Sequence, residues 1–437
     1  MIYKSIVKDF CSYGLISGIT RISGIILLPL FTSSLTINQY GKLDFIQTGI
    51  SLISILVLFN INSGLARYWN YNKFNHSKQQ IFSVVLKLLV VFLIFLSIII
   101  CLIINYDLFG LSLYISKDLQ FVCYGSIVIT TLLTIFEWAL RLDRRILYFG
   151  LSTVVYLFVN VSLVLYFNSK SELSLHTILE IQLISLLLKL IILFLSCIKY
   201  ITRTKISFDY LYVLKFSLPM VPATIANIIN SKIDKVVILY LLGSSSLGLY
   251  AAILKFSIIV TFLCQNFKNT WVPLSLQIMS KNDRDKIYQN IFSLYLLFSF
   301  IISLTLFFCT YFFVSVYLPT EYIKYLHLLP LTFLPPIIST LVVITNIGVV
   351  IKEQSYLNSL IYPLSFIINL FLSFYLVNSY GVIGVCVGTI ISSFFCLICF
   401  LIFSIKNVNI QFNMKHLTIF IFSYTMVCIL AIINNVY

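Results

Sequence analysis

The feature that most constrains this chain is a succession of apolar runs about twenty residues long, such as LLVVFLIFLSIIICLII at 88–104. Wound as an α-helix, a run of that length matches the hydrocarbon core of a bilayer, which is about 30 Å thick. A membrane barrel is the competing architecture. It needs segments of about ten residues that alternate apolar with polar, and the runs here do not alternate. With 60% hydrophobic and only 10% charged residues, against about 25% charged in ordinary soluble domains, the chain reads as an all-α polytopic membrane protein.

Runs near the required length place spans at 11–33, 42–66, 81–104, 119–140, 149–168, 177–199, 213–242, 247–272, 289–313, 326–350, 356–377, 382–404 and 416–434. That is about thirteen, with twelve to fourteen open because run ends are the least defined part of such a reading. The net charge of +15 would suggest a nucleic-acid partner in a soluble protein, but here it collects on alternate connections. Arg67, Lys73 and Lys78 share one side with Arg141, Arg144, Arg145, Lys199, Arg203 and Lys205, whereas the opposite connections hold a near-balance of Asp107, Lys117, Asp118, Lys170 and Glu172. Lys and Arg accumulate on cytoplasmic loops, so the N-terminus is expected inside, the C-terminus outside, and no nucleic acid is expected. The apolar run from Phe10 is too long for a cleaved signal and lacks a small-residue cleavage site, so it is expected to stay as the first span.

No connection exceeds about fourteen residues, which leaves no room for a soluble catalytic domain. The ten cysteines sit mostly singly within apolar runs, where a thiol acts as a small hydrophobe. The single Cys-x-x-Cys, Cys396 and Cys399, lies mid-helix, away from the exposed setting a redox pair needs. No cofactor or metal is expected.

The chain also resembles itself. FVNVSLVLYF around Asn160 matches FIINLFLSFYL around Asn369 at an offset of 209, and QYGKLDF with Gly41 matches SLGLYAA with Gly248 at 207. Two matches at nearly one offset point to duplication of a six-span unit. Six is even, so both copies enter the membrane from the same side and form a parallel repeat. The expected division is an N-terminal six-helix lobe at 1–200, a cytoplasmic linker at 201–212, a second lobe at 213–404, and a basic loop with an extra helix at 405–437.

Charges inside spans are rare and costly, about 2.5–3.5 kcal/mol each on insertion scales, and therefore mark sites. The stretch SLPMVPATIANIINSKIDKVVILYLLGSSSLGLY at 217–250 carries two prolines, two asparagines and Lys232, Asp234 and Lys235 within one run. Lys235 and Lys255 flank the Gly243 to Gly248 turn at similar distances, so adjacent helices would bring them to similar depth. Asp234 is expected to pair with its neighbour Lys235, and Lys232 to share the face of Lys235. Arg21 sits near the middle of the first span, either as a cavity cation or in an ion pair with Asp234 or Glu137. Lys189 and Lys268 are further deep cations, whereas Lys87 is close enough to the cytoplasmic face to snorkel. Set against Asp44, Glu137, Glu180 and Asp234, the balance within the spans is cationic. Such a lining attracts anions, phosphate or diphosphate above all.

RISGIILLPLFTSSLTINQYGKLDFIQTGISL, GLARYW, the 217–257 stretch and NFKNTWVP resemble the Wzx-type polysaccharide flippases of the multidrug, oligosaccharidyl-lipid and polysaccharide exporter superfamily, in span order over nearly the whole chain. The resemblance implies two six-helix lobes in a V, opening alternately to either side, with a cationic cavity built largely by spans 1, 2, 7 and 8. Arg21, Asp44, Arg67, Asp234, Lys235 and Lys255 fall at matching positions. Family members commonly have twelve or fourteen spans, so thirteen departs from the pattern at the C-terminal segment.

The expected function is flipping of an undecaprenyl-diphosphate-linked oligosaccharide from the cytoplasmic to the outer leaflet of a bacterial inner membrane, for O-antigen or capsule synthesis. Cavity cations would bind the diphosphate, Asn60, Asn62, Asn227, Asn230 and Gln265 would meet the sugars, and polymerase and chain-length proteins would be partners. The alternatives are a multidrug exporter, a peptidoglycan lipid-precursor flippase, and a membrane oligosaccharide polymerase or glycosyltransferase. The sparse intramembrane carboxylates disfavour the first, and the short outer connections disfavour an enzyme.

Overall fold

The apolar runs wind into helices in a computed structural model that describes residues 14, 18–21, 23–69, 78–105, 116–143, 145–201, 209–278, 283–352, 354, 356–408 and 410–433. No strand occurs among the described residues. In chain order the helices are α1 (Leu28–Ser34), α2 (Ile37–Val57), α3 (Ile61–Tyr68), α4 (Lys78–Asn105), α5 (Lys117–Leu142), α6 (Ile146–Ser169), α7 (Leu175–Cys197), α8 (Tyr210–Ser217), α9 (Val221–Asn230) and α10 (Ile233–Ile278). They continue as α11 (Arg284–Tyr317), α12 (Thr320–Ile323), α13 (Leu328–Thr345), α14 (Ile347–Ile351), α15 (Tyr356–Val408) and α16 (Met414–Ile433).

Among the described residues, nine helical stretches are long and apolar enough to cross a membrane, or ten if the bent pair α2 and α3 forms one crossing. The chain is a multi-pass membrane protein. Two of those stretches, Ile233–Val272 with 40 residues and Tyr356–Val408 with 53, exceed the 20 or so a bilayer core takes. Each is interrupted by a glycine that no side chain could easily replace: Gly243 at φ 84° and Gly381 at φ 57° lie where Cβ is disfavoured. The break at Gly381 separates the expected spans 356–377 and 382–404. The first expected span, 11–33, falls partly outside the described residues.

Two expected spans are broken rather than straight. Span 42–66 bends by 52° between α2 and α3, where Phe59 and Asn60 adopt φ of 41° and 58°. Span 213–242 is built from α8, a 3₁₀ turn at Leu218–Met220, α9 and the first ten residues of α10. Pro219 within that turn and Pro222 near the start of α9 lack the N–H that would continue the ladder, so the sequence itself dictates the interruption.

By contacts the chain forms two compact units, Met1–Ser23 with Phe45–Ile229, and Gly24–Asp44 with Asn230–Tyr437. Segments on both sides of the expected 201–212 linker are thus traded. The trades have a local cause: residues with no side chain to keep helices apart. In the second unit, a Cβ on Gly41 would meet the Ser244 carbonyl oxygen at 1.8 Å, and one on Gly248 would meet that of Ile37 at 2.2 Å. The two glycines aligned by the repeat therefore pack directly on one another and tie the start of α2 to α10. In the first unit, a Cβ on Gly64 would meet Val213 and Ser217 at 2.8 Å, which binds α8 to α3.

Lipid tails are as apolar as leucine, so helices in a membrane associate by close packing and polar contacts rather than by hydrophobic drive. The first unit packs Phe82 against Phe136 at 5.8 Å between ring centroids and Trp69 against Tyr200 at 5.3 Å. At one end of that unit Asp143 accepts hydrogen bonds from Lys78 at 2.7 Å, Lys199 at 3.3 Å and the Tyr200 hydroxyl. Burial raises the pKa of this carboxyl, but these hydrogen bonds outweigh it and hold the group well below the usual carboxylate range. The second unit is arranged around α13, most of whose side chains are buried. Ser404 there donates to the Thr345 carbonyl at 2.6 Å, beside Gly348.

Candidate functional site

The Gly41–Gly248 crossing fixes where the first acidic residue of the site goes. One turn beyond Gly41, Asp44 faces α10, and its Oδ2 accepts from Lys235 Nζ at 2.6 Å, with both side chains nearly buried. Asp234 does not take the expected place. Consecutive residues on a helix point about 100° apart, so it turns away from Lys235, and its Oδ2 accepts instead from the Tyr250 hydroxyl at 2.5 Å. Its Oδ1 is buried and has no hydrogen-bond partner among the described residues.

These residues line a cavity of about 500 Å³ within the second unit, together with Asn230, Lys232, Lys255, Gln265 and Lys268. No hydrogen bond or ion pair holds the ammonium of Lys232 or Lys255 among the described residues, although both lie within electrostatic range of Asp44. Lys268 Nζ donates to Ser339 Oγ at 2.8 Å and has no carboxylate partner among the described residues. Four lysines thus share one cavity with two carboxylates, one of which neutralises Lys235. The cavity wall opposite is α13, where Pro335 and Pro336 leave the carbonyls of Leu331 and Thr332 without their helical hydrogen bonds. Ser257 donates to Thr332 across the same wall at 2.6 Å. A larger hollow of about 570 Å³ on α10 and α11 is lined by residues such as Phe267, Trp271 and Phe298 and carries no charge.

The remaining candidates lie elsewhere. Arg21 is half-buried in the first unit. Arg67, also there, stacks its guanidinium over the Phe216 ring at 4.3 Å. Asn60 sits at the bend between α2 and α3 and accepts from Ser63 at 2.8 Å, with Asn62 half-buried two residues on. Lys189 donates to Glu137 at 2.6 Å, and Arg141 joins the same carboxylate at 3.3 Å. The side chain of Asn227 lies outside the described residues. Among the described residues no group of three or more His, Cys, Asp or Glu side chains could hold a metal ion.

Sequence reasoning overlooked Tyr250, Ser339 and the role of Asn369. The last donates to Asn230 at 3.2 Å and accepts from Ser373 and Thr389 at 3.1 and 3.3 Å, which ties the turn before Lys232 to α15. Only the Pro335–Pro336 pair within an apolar run signalled that α13 would present open carbonyls.

The fold is shared with solved transporters. The chain is similar to the lipid II flippase MurJ in its inward closed conformation, with 17% identity, 96% of this chain and 97% of that one covered, and a TM-score of 0.68. It is also similar to an inward-facing multidrug resistance MATE family transporter of the MOP superfamily, at 12% identity, 89% and 94% coverage and a TM-score of 0.63. A third similar structure is the Vibrio cholerae MATE transporter VcmN in its bent form, at 16% identity, 94% and 99% coverage and a TM-score of 0.60. Identities this low speak for the fold alone. No curated protein matches the chain in sequence. Residues 6–279, well over half of the chain and including the whole of the 217–257 stretch, match the model of one sequence family, and the chain belongs to that family, the polysaccharide biosynthesis proteins.

Proposed function

We propose that the protein flips an undecaprenyl-diphosphate-linked oligosaccharide from the cytoplasmic to the outer leaflet of a bacterial inner membrane, in the synthesis of O-antigen or capsular polysaccharide. The observation that carries this reading is the lysine-rich cavity of the second unit, where no hydrogen bond or ion pair holds the ammonium of Lys232 or Lys255 among the described residues. Desolvated ammonium groups of that kind are stabilised by an anionic ligand, and a diphosphate offers several acceptor oxygens to lysine point charges. Asn230 and Gln265 extend the lining with amides suited to sugar hydroxyls. In this reading the lipid tail remains in the bilayer while access alternates. A drug-cation exporter would need the opposite sign.

The test is transport of a fluorescent polyprenyl-diphosphate-linked sugar in proteoliposomes. Lys255→Gln and Lys232→Gln are each expected to cut the rate about tenfold or more, since a hydrogen bond to a charged group is worth about 1.5–3 kcal/mol, and Arg21→Ala is expected to lower it as well. Unimpaired transport by both lysine variants would refute the role of the cavity. The fold shared with a lipid II flippase favours one second reading, in which the cargo is a peptidoglycan precursor. It carries the same diphosphate, and competition between the two cargoes in the same vesicles separates the readings.

A further inference from the structure

We propose that the cavity holds two anion-binding stations rather than one, the second built by Lys268 as aimed by Ser339, and that this second station loads the diphosphate headgroup before it reaches Lys255 and Lys232. The inference rests on the flippase reading and deepens it.

Lys255 and Lys268 are thirteen residues apart on one helix, about 20 Å at 1.5 Å per residue, far more than a single diphosphate can bridge. Both nonetheless line the same cavity, with Ile258, Thr261 and Gln265 between them at helical spacings of three and four.

An ammonium has three donors. Lys268 gives one to Ser339 Oγ at 2.8 Å, and Ser339 in turn passes its own proton to the Pro336 carbonyl at 2.9 Å. The serine is thereby held as an acceptor, which aims the lysine, and among the described residues its other two donors remain for a ligand. Lys189 shows the contrasting case: it lies within the membrane too, but Glu137 at 2.6 Å consumes its charge.

Thr261, the Ser257–Thr332 hydrogen bond and the carbonyls left open by Pro335 and Pro336 form a polar strip from one lysine to the other. A hydrated headgroup can cross such a strip without entering hydrocarbon. Lys268 lies nearer to the C-terminal end of α10, and the segment that follows, with Lys281, Asp283, Arg284, Asp285 and Lys286 and a net charge of +1, is among those expected on the cytoplasmic side from the alternation of charge along the chain. Hence it is placed to meet the headgroup first.

The experiment titrates the purified full-length chain calorimetrically with farnesyl diphosphate in one arm and inorganic pyrophosphate in the other. Two anions per chain are expected for the wild type and for Lys268→Arg, and one for Lys268→Gln, whose remaining site keeps its affinity. A pyrophosphate arm that equals the farnesyl arm assigns the station to the phosphate chemistry alone, and a farnesyl-only response assigns it to the lipid. Both support the station. In proteoliposomes Lys268→Gln should raise KM about tenfold while moving kcat less, and Lys255→Gln should act mainly on kcat. One anion per wild-type chain, or equal effects of the two variants on KM and kcat, overturns the second station and leaves the flippase reading standing. Binding of neither diphosphate overturns both.

Discussion

Removing the carboxylate of Asp44 while keeping Lys235 probes how the cavity is held together. The two side chains are 6% and 12% exposed, and their charged atoms lie 2.6 Å apart, so water screens them little. Taking away one partner of such a pair leaves an uncompensated charge in a low-dielectric setting and typically costs about 3–5 kcal/mol, whereas removing both is often nearly neutral. Asp44→Asn and Lys235→Gln should each destabilise the protein by about that much, and the double variant should recover most of the loss. The measurement is a double-mutant cycle from denaturant unfolding in detergent, which isolates the coupling of neighbouring residues. Single effects within about 0.5 kcal/mol, the usual range for surface substitutions, would refute the reasoning, as would effects that simply add. The cycle also bears on function. Asp44→Asn makes the cavity more positive and should tighten pyrophosphate binding even as it lowers stability, a combination that general unfolding cannot produce.

Gly248→Ala should destabilise by about 1–3 kcal/mol, because its Cβ would lie 2.2 Å from the Ile37 carbonyl oxygen, a backbone atom that cannot rotate away. Gly49→Ala, where a Cβ meets nothing within 4 Å on a helix, should instead gain about 0.5–1 kcal/mol, and thermal melting of both variants checks the pair of opposite signs. Asp143 supplies a pH test: its carboxyl sits below its unfolded pKa of about 3.9, so its contribution is complete at neutral pH and disappears as pH falls below about 4 through the lower folded value. The stability gap between wild type and Asp143→Asn should therefore close on acidification, and a gap that widens would contradict the hydrogen-bonded cage. Outward movement of an anion should accelerate under an inside-negative potential, worth about 2.3 kcal/mol per charge per 100 mV, as read from transport rates with imposed potassium gradients.

The spans were legible because apolar length is a property of the sequence alone, and even the interruptions had visible causes in Pro219, Pro222, Gly243 and Gly381. The units were less so. Which helix joins which depends on close approaches such as Gly41 on Gly248 and Gly64 on Val213, and a glycine in a sequence does not say what it touches. The repeat nevertheless aligned the two glycines that meet.

The site shows where sequence reasoning stops. Asp44 and Lys235 stand 191 residues apart, whereas Asp234 and Lys235 are neighbours, so proximity along the chain favoured the wrong pair. A peptide unit separates neighbours in sequence, but a helix sends their side chains apart. Lys189, Lys235, Lys255 and Lys268 look alike as sequence, each a lysine within an apolar run. The fold sorts them: Glu137 and Asp44 neutralise the first two, while the last two face the cavity with donors to spare. A count of buried charges can therefore show that the membrane spans are rich in cations, but only the cross-helix partners decide which lysines keep donors for a ligand.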